Sequence, residues 1–298
     1  MHPGVQWAVS DVEAGLFYGL TSLGVEVVRH SGSEFSAAAK GVDAVIVVSG
    51  IKITDEELAA ARAVCPVYLV FTETPYDQER ELRQAALVDG CWTHERASLP
   101  AFRVVNPRSA YLRHAWHPER HFVDPQEPTL DVVFVGSGFP ERITFFNKID
   151  WTGINLALYG IWDGFGLKES LEPCVKSGPI DNEQAARLYR RTRIGLNLYR
   201  RTDKPVASLN PRAYELAACG TFQVSEYRDE SAEVFGEWAA TFTTPAEAEA
   251  RIRHYLALPD MRARVAERNR LAVASHSWAH RAEAVVRDLS AWSRLEAA

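Results

Sequence analysis

The sequence predicts an α/β protein of two Rossmann-like domains followed by a C-terminal helical tail. Short β-branched runs alternate with amphipathic segments along most of the chain, and this alternation lapses once, near the middle. Strand–helix alternation at this spacing is typical of a parallel sheet covered by helices. The 298 residues are enough for two domains of roughly 120–170 residues each.

The first series of elements occupies residues 1–122. Its clearest strand is Asp43–Gly50, an unbroken β-branched run of the kind that is covered on both faces. Thr54 is the predicted cap of the next helix, because acidic residues and then helically spaced apolar residues follow it. The pattern predicts strands at 5–9, 25–28, 43–50, 66–71 and 90–93, and helices at 13–24, 54–64 and 75–90.

Residues 106–130 hold four prolines and no sustained periodicity, which predicts an interdomain connection. A second series then gives strands at 130–138, 154–160, 193–199, 221–225 and 240–244, with helices between them and to the end of the chain. We place the N-terminal domain at 1–122, the linker at 123–130, the C-terminal domain at 131–278, and a final helix at 279–298 that packs back towards the N-terminal domain. We expect the ligand in the cleft between two such domains, at the carboxyl ends of the strands.

Composition narrows the class of protein. A net charge of −6 argues against a general nucleic-acid binder and leaves room for a local basic patch. No apolar run reaches the ~18–20 residues that span a bilayer, and the first residues lack the pattern of a signal peptide. The expected location is the cytoplasm.

The first informative motif is Val133–Arg142, where a predicted strand leads through Gly136-Ser137-Gly138 into a helix. Free backbone N–H groups and the helix dipole at such a start favour an anion such as a phosphate. Arg142, one turn into the helix, would add charge-assisted hydrogen bonds. The alternative is an ordinary turn that needs glycine for its geometry.

The second motif is the segment Asn210–Glu226, a capped helix followed by a strand. Asn210 is the predicted cap, with Leu209 and Tyr214 as a hydrophobic staple. Arg212 and Glu215 lie on one face of this helix. Arginine has the wrong charge for the positive end of a helix unless an anion sits there, and a carboxylate beside it would accept ribose hydroxyls. The alternative is a local Arg–Glu ion pair.

Two further groups of polar residues are candidates. Arg200, Arg201 and Lys204 follow the carboxyl end of a strand, where they would bind a diphosphate or the phosphates of a nucleic-acid acceptor, or remain solvated charge. A catalytic base would come from strand ends of the N-terminal domain, and the candidates are Asp11, Glu73, Asp77 and His94. Asp11 follows the first predicted strand and Glu73 the fourth, so we expect both to face the cleft.

No metal is expected. The array of His114, His117 and His121 is interrupted by a proline, and the pair His276 and His280 lacks the glutamate of H-E-x-x-H.

Residues 131–289 together resemble the C-terminal domain of GT-B glycosyltransferases, in particular the CgeB-like, "glycosyl transferases group 1" set. The matching segments are 131–142, 156–160, 177–199, 210–235, 242–270 and 276–286, and upstream 71–77, 91–100 and 111–121. Each motif is loose, and their order and spacing carry the resemblance.

The resemblance implies an enzyme that uses a nucleotide-diphospho sugar, with UDP favoured, and that needs no metal or other cofactor because helix dipoles and basic side chains offset the charge of the diphosphate. It also assigns residues to parts of the donor. These are Gly136, Ser137, Arg142, Asn210 and Arg212 at the diphosphate, Tyr159, Gly160 and the loop Ser177–Ile180 with Gly178 at the base, and Glu215 at the ribose.

One position departs from the pattern. Related retaining enzymes carry two glutamates in an E-x7-E arrangement, and counting back from Glu215 reaches Ala207. The stereochemistry of transfer therefore stays open. In the leading hypothesis Arg142, Arg200 and Arg212 stabilise the leaving diphosphate, and Asp11 or Glu73 acts as base if the enzyme inverts. The catalytic set is thus Asp11, Glu73, Arg142 and Arg212.

Several acceptors fit this hypothesis: a small molecule, a protein, a polysaccharide or, as in phage-encoded enzymes, a modified DNA base. A hypothesis of another class is a non-catalytic nucleotide-sugar-binding or structural protein with the same fold. Ala207 favours that alternative, whereas Arg212 and Glu215 favour an enzyme.

Overall fold

The computed structural model describes residues 3–30, 37, 39–162, 166–176 and 178–296, apart from the side chains of 3–8 and 294–296. The chain forms two compact units. The first comprises Met1–Arg113, Thr202–Ser208 and Trp278–Ala298, and the second comprises His114–Arg201 and Leu209–Ser277. These limits differ from the predicted 1–122 and 131–278, because the chain passes between the units four times. Within the described residues, no helix is sufficiently long and apolar to cross a membrane.

The strands are β1 (Val45–Val48), β2 (Val67–Phe71), β3 (Gly90–Thr93), β4 (Ser109–Tyr111), β5 (Leu130–Val135), β6 (Leu156–Tyr159), β7 (Thr192–Asn197), β8 (Phe222–Glu226) and β9 (Thr241–Phe242). The α-helices are α1 (Pro3–Ser22), α2 (Asp55–Arg62), α3 (Gln78–Ala85), α4 (Leu99–Val105), α5 (Pro140–Lys148), α6 (Asn182–Arg190), α7 (Pro211–Ala218), α8 (Asp229–Phe235), α9 (Pro245–Ala257), α10 (Pro259–Ala272) and α11 (Trp278–Glu296).

The first unit has a parallel sheet in the order β1-β2-β3-β4. Helix α2 begins as predicted: the Thr54 hydroxyl accepts from the Glu57 N–H at 3.2 Å, and the Glu57 carboxylate accepts from the Thr54 N–H at 2.8 Å. Every residue of β2 is buried, which explains its continuous apolar run. Strand β4 lies inside the proline-rich segment 106–130, for which the sequence predicts a connection and no strand.

Helix α1 contradicts the first predicted strand. Residues 5–9 are helical, and residues 25–28 form no strand. Val12, Leu16 and Leu20 are buried at a spacing of four residues, so one face of α1 is apolar. This face packs on α11, and a Cβ added to Gly15 would lie 2.4 Å from the Trp278 ring. A partner from the far end of the chain thus overrides the local β propensity of valine and tryptophan.

The last helix, α11, packs on the sheet of the first unit. The Trp292 ring stacks on Tyr68 with a centroid separation of 5.8 Å and lies 4.9 Å from Trp92. The Trp92 indole N–H also donates to Asp288 at 2.9 Å. The N- and C-terminal parts of the chain therefore share one hydrophobic core.

The second unit has a parallel sheet in the order β6-β5-β7-β8-β9. Its five strands confirm the five predicted for this half of the chain. The strand order reverses between β5 and β7, so the connections that leave these two strands diverge. A crevice at the carboxyl ends of the strands is the usual consequence of such a switch point, and ligands of α/β sheets bind there.

Candidate functional site

The switch point of the second unit brings together most residues that the sequence marked as donor-binding. They come from four places: the turn after β5, the turn after β6, the end of β7 and the start of α7. The residues concerned are Gly136, Ser137, Arg142, Tyr159, Arg200, Asn210, Arg212 and Glu215, and the end of β7 adds Asn197.

The glycine turn after β5 is joined to the turn after β6. The Gly136 N–H donates to the Tyr159 carbonyl and the Gly138 N–H to the Ile161 carbonyl, both at 2.8 Å. Both N–H groups are therefore engaged inside the unit, and the position of Gly136 and Ser137 near a donor diphosphate stays a prediction. Gly160 is required by close approach, since a Cβ there would lie 2.4 Å from the Gly136 oxygen.

Arg142 is buried and joins the turn after β5 to the segment after β7. Its guanidinium donates to the Ser137 carbonyl at 2.9 Å and to the Leu198 carbonyl at 3.4 Å. It also lies over the Phe134 ring at 5.2 Å and over the Phe139 ring at 4.8 Å. Arg142 therefore shapes the crevice, and its contact with a phosphate stays a prediction.

Two more arginines share these rings. The Arg212 guanidinium lies 5.2 Å from the Phe134 ring centre, and that of Arg200 lies 5.5 Å from the Phe139 ring centre. Three guanidinium groups thus converge on two aromatic faces at the carboxyl edge of the sheet. Concentrated positive charge of this kind attracts an anionic ligand.

Asn210 caps α7 as predicted, with its side-chain oxygen accepting from the Ala213 N–H at 3.2 Å. Its amide also exchanges two hydrogen bonds with the fully buried Asn197, at 3.0 and 2.8 Å. The Asn197 oxygen in turn accepts from Arg212 at 3.3 Å. Asn197 is not among the residues predicted from the sequence, although a lone amide at the end of an apolar strand is a usable signal.

Glu215 is buried one turn into α7. Asn182, the first residue of α6, donates to its Oε1 at 3.1 Å. Burial raises the pKa of Glu215, while Asn182 and the nearby Arg212 oppose that rise. Among the described residues Arg212 and Glu215 form no ion pair with each other, and no hydrogen bond reaches the Glu215 Oε2. The local Arg–Glu ion pair considered above is therefore not formed.

Three other residues were candidates for the donor or for an acceptor phosphate: Gly178, Arg201 and Lys204. Gly178 is exposed, and a Cβ there would meet nothing within 4 Å. Arg201 is exposed, with its N–H donating to Glu141 at 3.2 Å. Lys204 belongs to the first unit. Their proposed roles stay predictions.

The base candidates belong to the first unit, and the structure contradicts the reasoning for Asp11. Asp11 lies in the middle of α1 and follows no strand. Glu73 is half-buried just after β2, as predicted, and its N–H donates to Glu81 at 2.9 Å. Asp77 is exposed and accepts from Arg80 at 2.5 Å. His94 is buried against the Leu112 carbonyl, and burial lowers its pKa to about 4.

Ala207, at the position of the missing glutamate, is held by another carboxylate. Within the first unit Glu95 accepts from the N–H groups of Ala207 at 3.0 Å and Ser208 at 3.3 Å. In the described part of the chain, no three His, Cys, Asp or Glu side chains gather as metal ligands would.

Comparison with known proteins identifies the family and the fold. A family model described as "Glycosyl transferase-like" matches residues 120–287, more than half of the chain. No curated protein sequence matches. A structure of the T4 phage enzyme BGT with its UDP-glucose substrate is 16% identical, covers 92% of each chain and has a TM-score of 0.62.

Two other solved structures share the fold. AviGT4, a glycosyltransferase involved in avilamycin A biosynthesis, is 19% identical over 97% of this chain and 90% of its own, with a TM-score of 0.63. Sucrose-phosphate synthase from Thermosynechococcus elongatus is 14% identical over 84% of this chain and 74% of its own, with a TM-score of 0.58.

Proposed function

Because the chain belongs to the glycosyl transferase-like family, we propose that it transfers a sugar from a nucleotide-diphospho sugar, with a UDP-sugar favoured, and that it does so without a bound metal. The observation that carries this proposal is the convergence of Arg142, Arg200 and Arg212 beside the start of α7. The T4 phage relative binds UDP-glucose, which favours UDP among the nucleotides.

In this proposal the arginines stabilise the leaving group. Breaking the bond between the sugar and the donor diphosphate leaves negative charge on the diphosphate oxygen. Arg212 and the positive end of α7 offset that charge in the donor complex and more strongly as it develops in the transition state. This is the role that a divalent cation plays in metal-dependent enzymes.

Glu215 binds the ribose. An ionised carboxylate accepts hydrogen bonds and donates none, so it suits a pair of hydroxyl groups. Its Oε2 makes no hydrogen bond with the described residues and is the atom that would receive them. Burial raises the pKa of this carboxyl group, and hydrogen bonds from ribose hydroxyls to the ionised form would offset that cost of burial.

The base that activates the acceptor is Glu73 in this proposal, if transfer inverts. Glu73 follows β2, at the carboxyl edge of the sheet in the first unit, where the backbone of Glu73 is held by the buried Glu81. It would take the proton of the acceptor hydroxyl as that oxygen attacks the sugar. Asp11, in the middle of α1, no longer has a structural argument for this role.

The test is binding of UDP-, GDP- and TDP-sugars, measured by thermal shift. A ligand at 100 times its Kd adds about 2.7 kcal/mol to the free energy of unfolding. Hydrolysis of the bound donor by the wild type, and its loss in Glu215→Ala and Arg212→Ala, would assign the activity to this site. No shift with any nucleotide would contradict the proposal.

A modified DNA base is the second candidate acceptor. A DNA-modifying β-glucosyltransferase covers 94% of this chain and 94% of its own, with 16% identity and a TM-score of 0.65, so the two chains correspond over nearly their whole length. Arg201, which is exposed, would then contact the DNA phosphates. DNA binding that weakens steeply with salt would support this acceptor, and its absence at low salt would exclude it.

A further inference from the structure

The carboxylate of Glu215 stands at the end of a chain of hydrogen bonds that all run in one direction. The His117 backbone N–H lies 2.9 Å from His121 Nδ1, and His121 Nε2 lies 3.2 Å from Asn182 Oδ1. Asn182 Nδ2 then lies 3.1 Å from Glu215 Oε1. All four residues belong to the second unit.

The direction follows from the first donor. A backbone N–H can only donate, so Nδ1 of His121 is the acceptor and the proton of a neutral imidazole is on Nε2. That proton points to an oxygen, which places the amide oxygen of Asn182 towards His121 and its NH2 group towards Glu215. An Asn side chain has two possible orientations, and here the neighbours leave one.

The imidazole stays neutral in this environment. His121 is 1% exposed, and burial lowers its pKa to about 4. A second proton on the ring would face the His117 N–H, donor against donor. The amide orientation of Asn182 is therefore constant across neutral pH.

We propose that Asn182 and His121 are positioning residues that hold Glu215 so that its Oε2 faces the ribose hydroxyls of the donor, and that they set the discrimination between ribonucleotides and deoxyribonucleotides. This rests on the proposed function. Neither residue touches the sugar in this proposal, and both act through Glu215. Without Asn182 the carboxylate would lose a charge-assisted hydrogen bond and the constraint on its rotation.

The experiment measures Kd for UDP, 2′-deoxy-UDP and 3′-deoxy-UDP by titration calorimetry. Each variant gives two ratios, the Kd of 2′-deoxy-UDP and the Kd of 3′-deoxy-UDP, each divided by the Kd of UDP. The readout is the larger of these two ratios. We expect this ratio to exceed about tenfold in the wild type, since a hydroxyl group bound to a charged partner is lost. We expect the ratio to fall at least about threefold in both Asn182→Leu and Asn182→Asp. The aspartate variant keeps the size of the side chain, but an ionised aspartate cannot donate a hydrogen bond to the Glu215 carboxylate.

His121 is tested in the same way. His121→Leu removes the donor to Asn182 and should lower the ratio, whereas His121→Gln retains an N–H donor and should preserve it. Glu183→Ala is the matched control: Glu183 is the next residue of α6, its side chain is exposed, and it pairs with Arg187. This control should leave the ratio unchanged.

The outcomes separate the two proposals. If wild-type protein binds no nucleotide, the proposed function fails. If the wild type discriminates and the Asn182 variants discriminate equally well, the positioning role is overturned. An equal loss of affinity for all three nucleotides would show a merely structural role and would also overturn it. An unchanged ratio in His121→Leu would show that His121 has no part in holding Asn182 and Glu215.

Discussion

At the scale of single residues, the structure explains a charge that helix rules disfavour. Arg212 lies in the first turn of α7, where the dipole is positive, yet no described carboxylate forms an ion pair with it. Its contacts include the Asn197 oxygen at 3.3 Å and the Phe134 ring. A guanidinium group without a carboxylate partner stabilises the fold little, and it is suited to bind an anionic ligand.

Replacing Arg212 should therefore affect binding more than stability. We expect Arg212→Met to weaken UDP binding at least about tenfold, since charge-assisted hydrogen bonds contribute about 1.5–3 kcal/mol each. The free energy of unfolding should change by less than about 1 kcal/mol. Calorimetry and urea unfolding measure the two effects. The control is Arg187→Met, an exposed arginine paired with Glu183, and equal affinities of the two variants would contradict the prediction.

Asn197 should behave in the opposite way. Its side chain bonds Asn210, Arg212 and Ser225 in a buried position. Asn197→Leu would leave these partners unsatisfied, which should cost about 2–4 kcal/mol of stability. The comparison is Asn155→Leu, where the amide bonds the Thr129 carbonyl on an exposed surface and the loss should stay below about 1 kcal/mol. Similar urea midpoints for Asn197→Leu and Asn155→Leu would exclude the structural role of Asn197.

At the scale of elements, the site depends on how two turns meet. The turns after β5 and β6 are joined by two hydrogen bonds, and Gly160 lies where they approach most closely. Gly160 also has φ +135°, outside the range that other residues readily adopt. The N–H groups of Gly136 and Gly138 both serve this junction.

Gly160→Ala should disrupt the junction. The added Cβ would meet the Gly136 oxygen at 2.4 Å, so the turn must move. Gly153→Ala is the matched control, because Gly153 has φ +78° and a Cβ there meets nothing within 4 Å. We expect Gly160→Ala to lose at least about 2 kcal/mol more stability than the control and to weaken UDP binding. Thermal unfolding with and without UDP measures both, and equal losses would argue against a close approach.

At the scale of the whole molecule, buried titratable groups predict how stability depends on pH. Burial lowers the pKa values of His94, His117 and His121 to about 4, while unfolded histidine titrates near about 6.5. Between these values the unfolded chain binds more protons, so stability falls as pH falls. Glu81 acts in the opposite sense, because burial raises its pKa to about 7. Below that pH the folded chain binds more protons at Glu81 than the unfolded chain does, so the contribution of Glu81 to the free energy of unfolding falls as pH rises towards 7. Burial raises the pKa of Glu215 as well.

Among the described residues, three buried histidines have lowered pKa values, whereas the two buried carboxyl groups with raised pKa values are Glu81 and Glu215. We therefore expect the free energy of unfolding to rise between pH 5 and pH 6.5, measured by urea denaturation at several pH values. Glu81→Gln removes an opposing group and should make the rise steeper, because an amide has no proton to lose over this range. A stability that falls over this interval, or an unchanged slope in Glu81→Gln, would contradict the assignment.

Local sequence signals predicted much of the fold. The Thr54 and Asn210 caps, the buried run of β2 and all five strands of the second unit appear as expected. These features depend on residues within about four positions of one another, which is the range of helical contacts and capping. The resemblance to GT-B enzymes likewise depended on the order of such local motifs, and the family match agrees with it.

What the sequence alone determined is therefore the succession of strands in the second unit, the glycosyltransferase family, and the places of Arg212 and Glu215 in α7. The tertiary structure decided that residues 5–9 are helical, that Gly136 and Gly138 bond the next turn, and that Asn182 holds Glu215 from 33 positions away. The physical reason is distance along the chain. A hydrogen bond or packing contact between remote segments has no local pattern, so only the folded chain shows which partner each group finds.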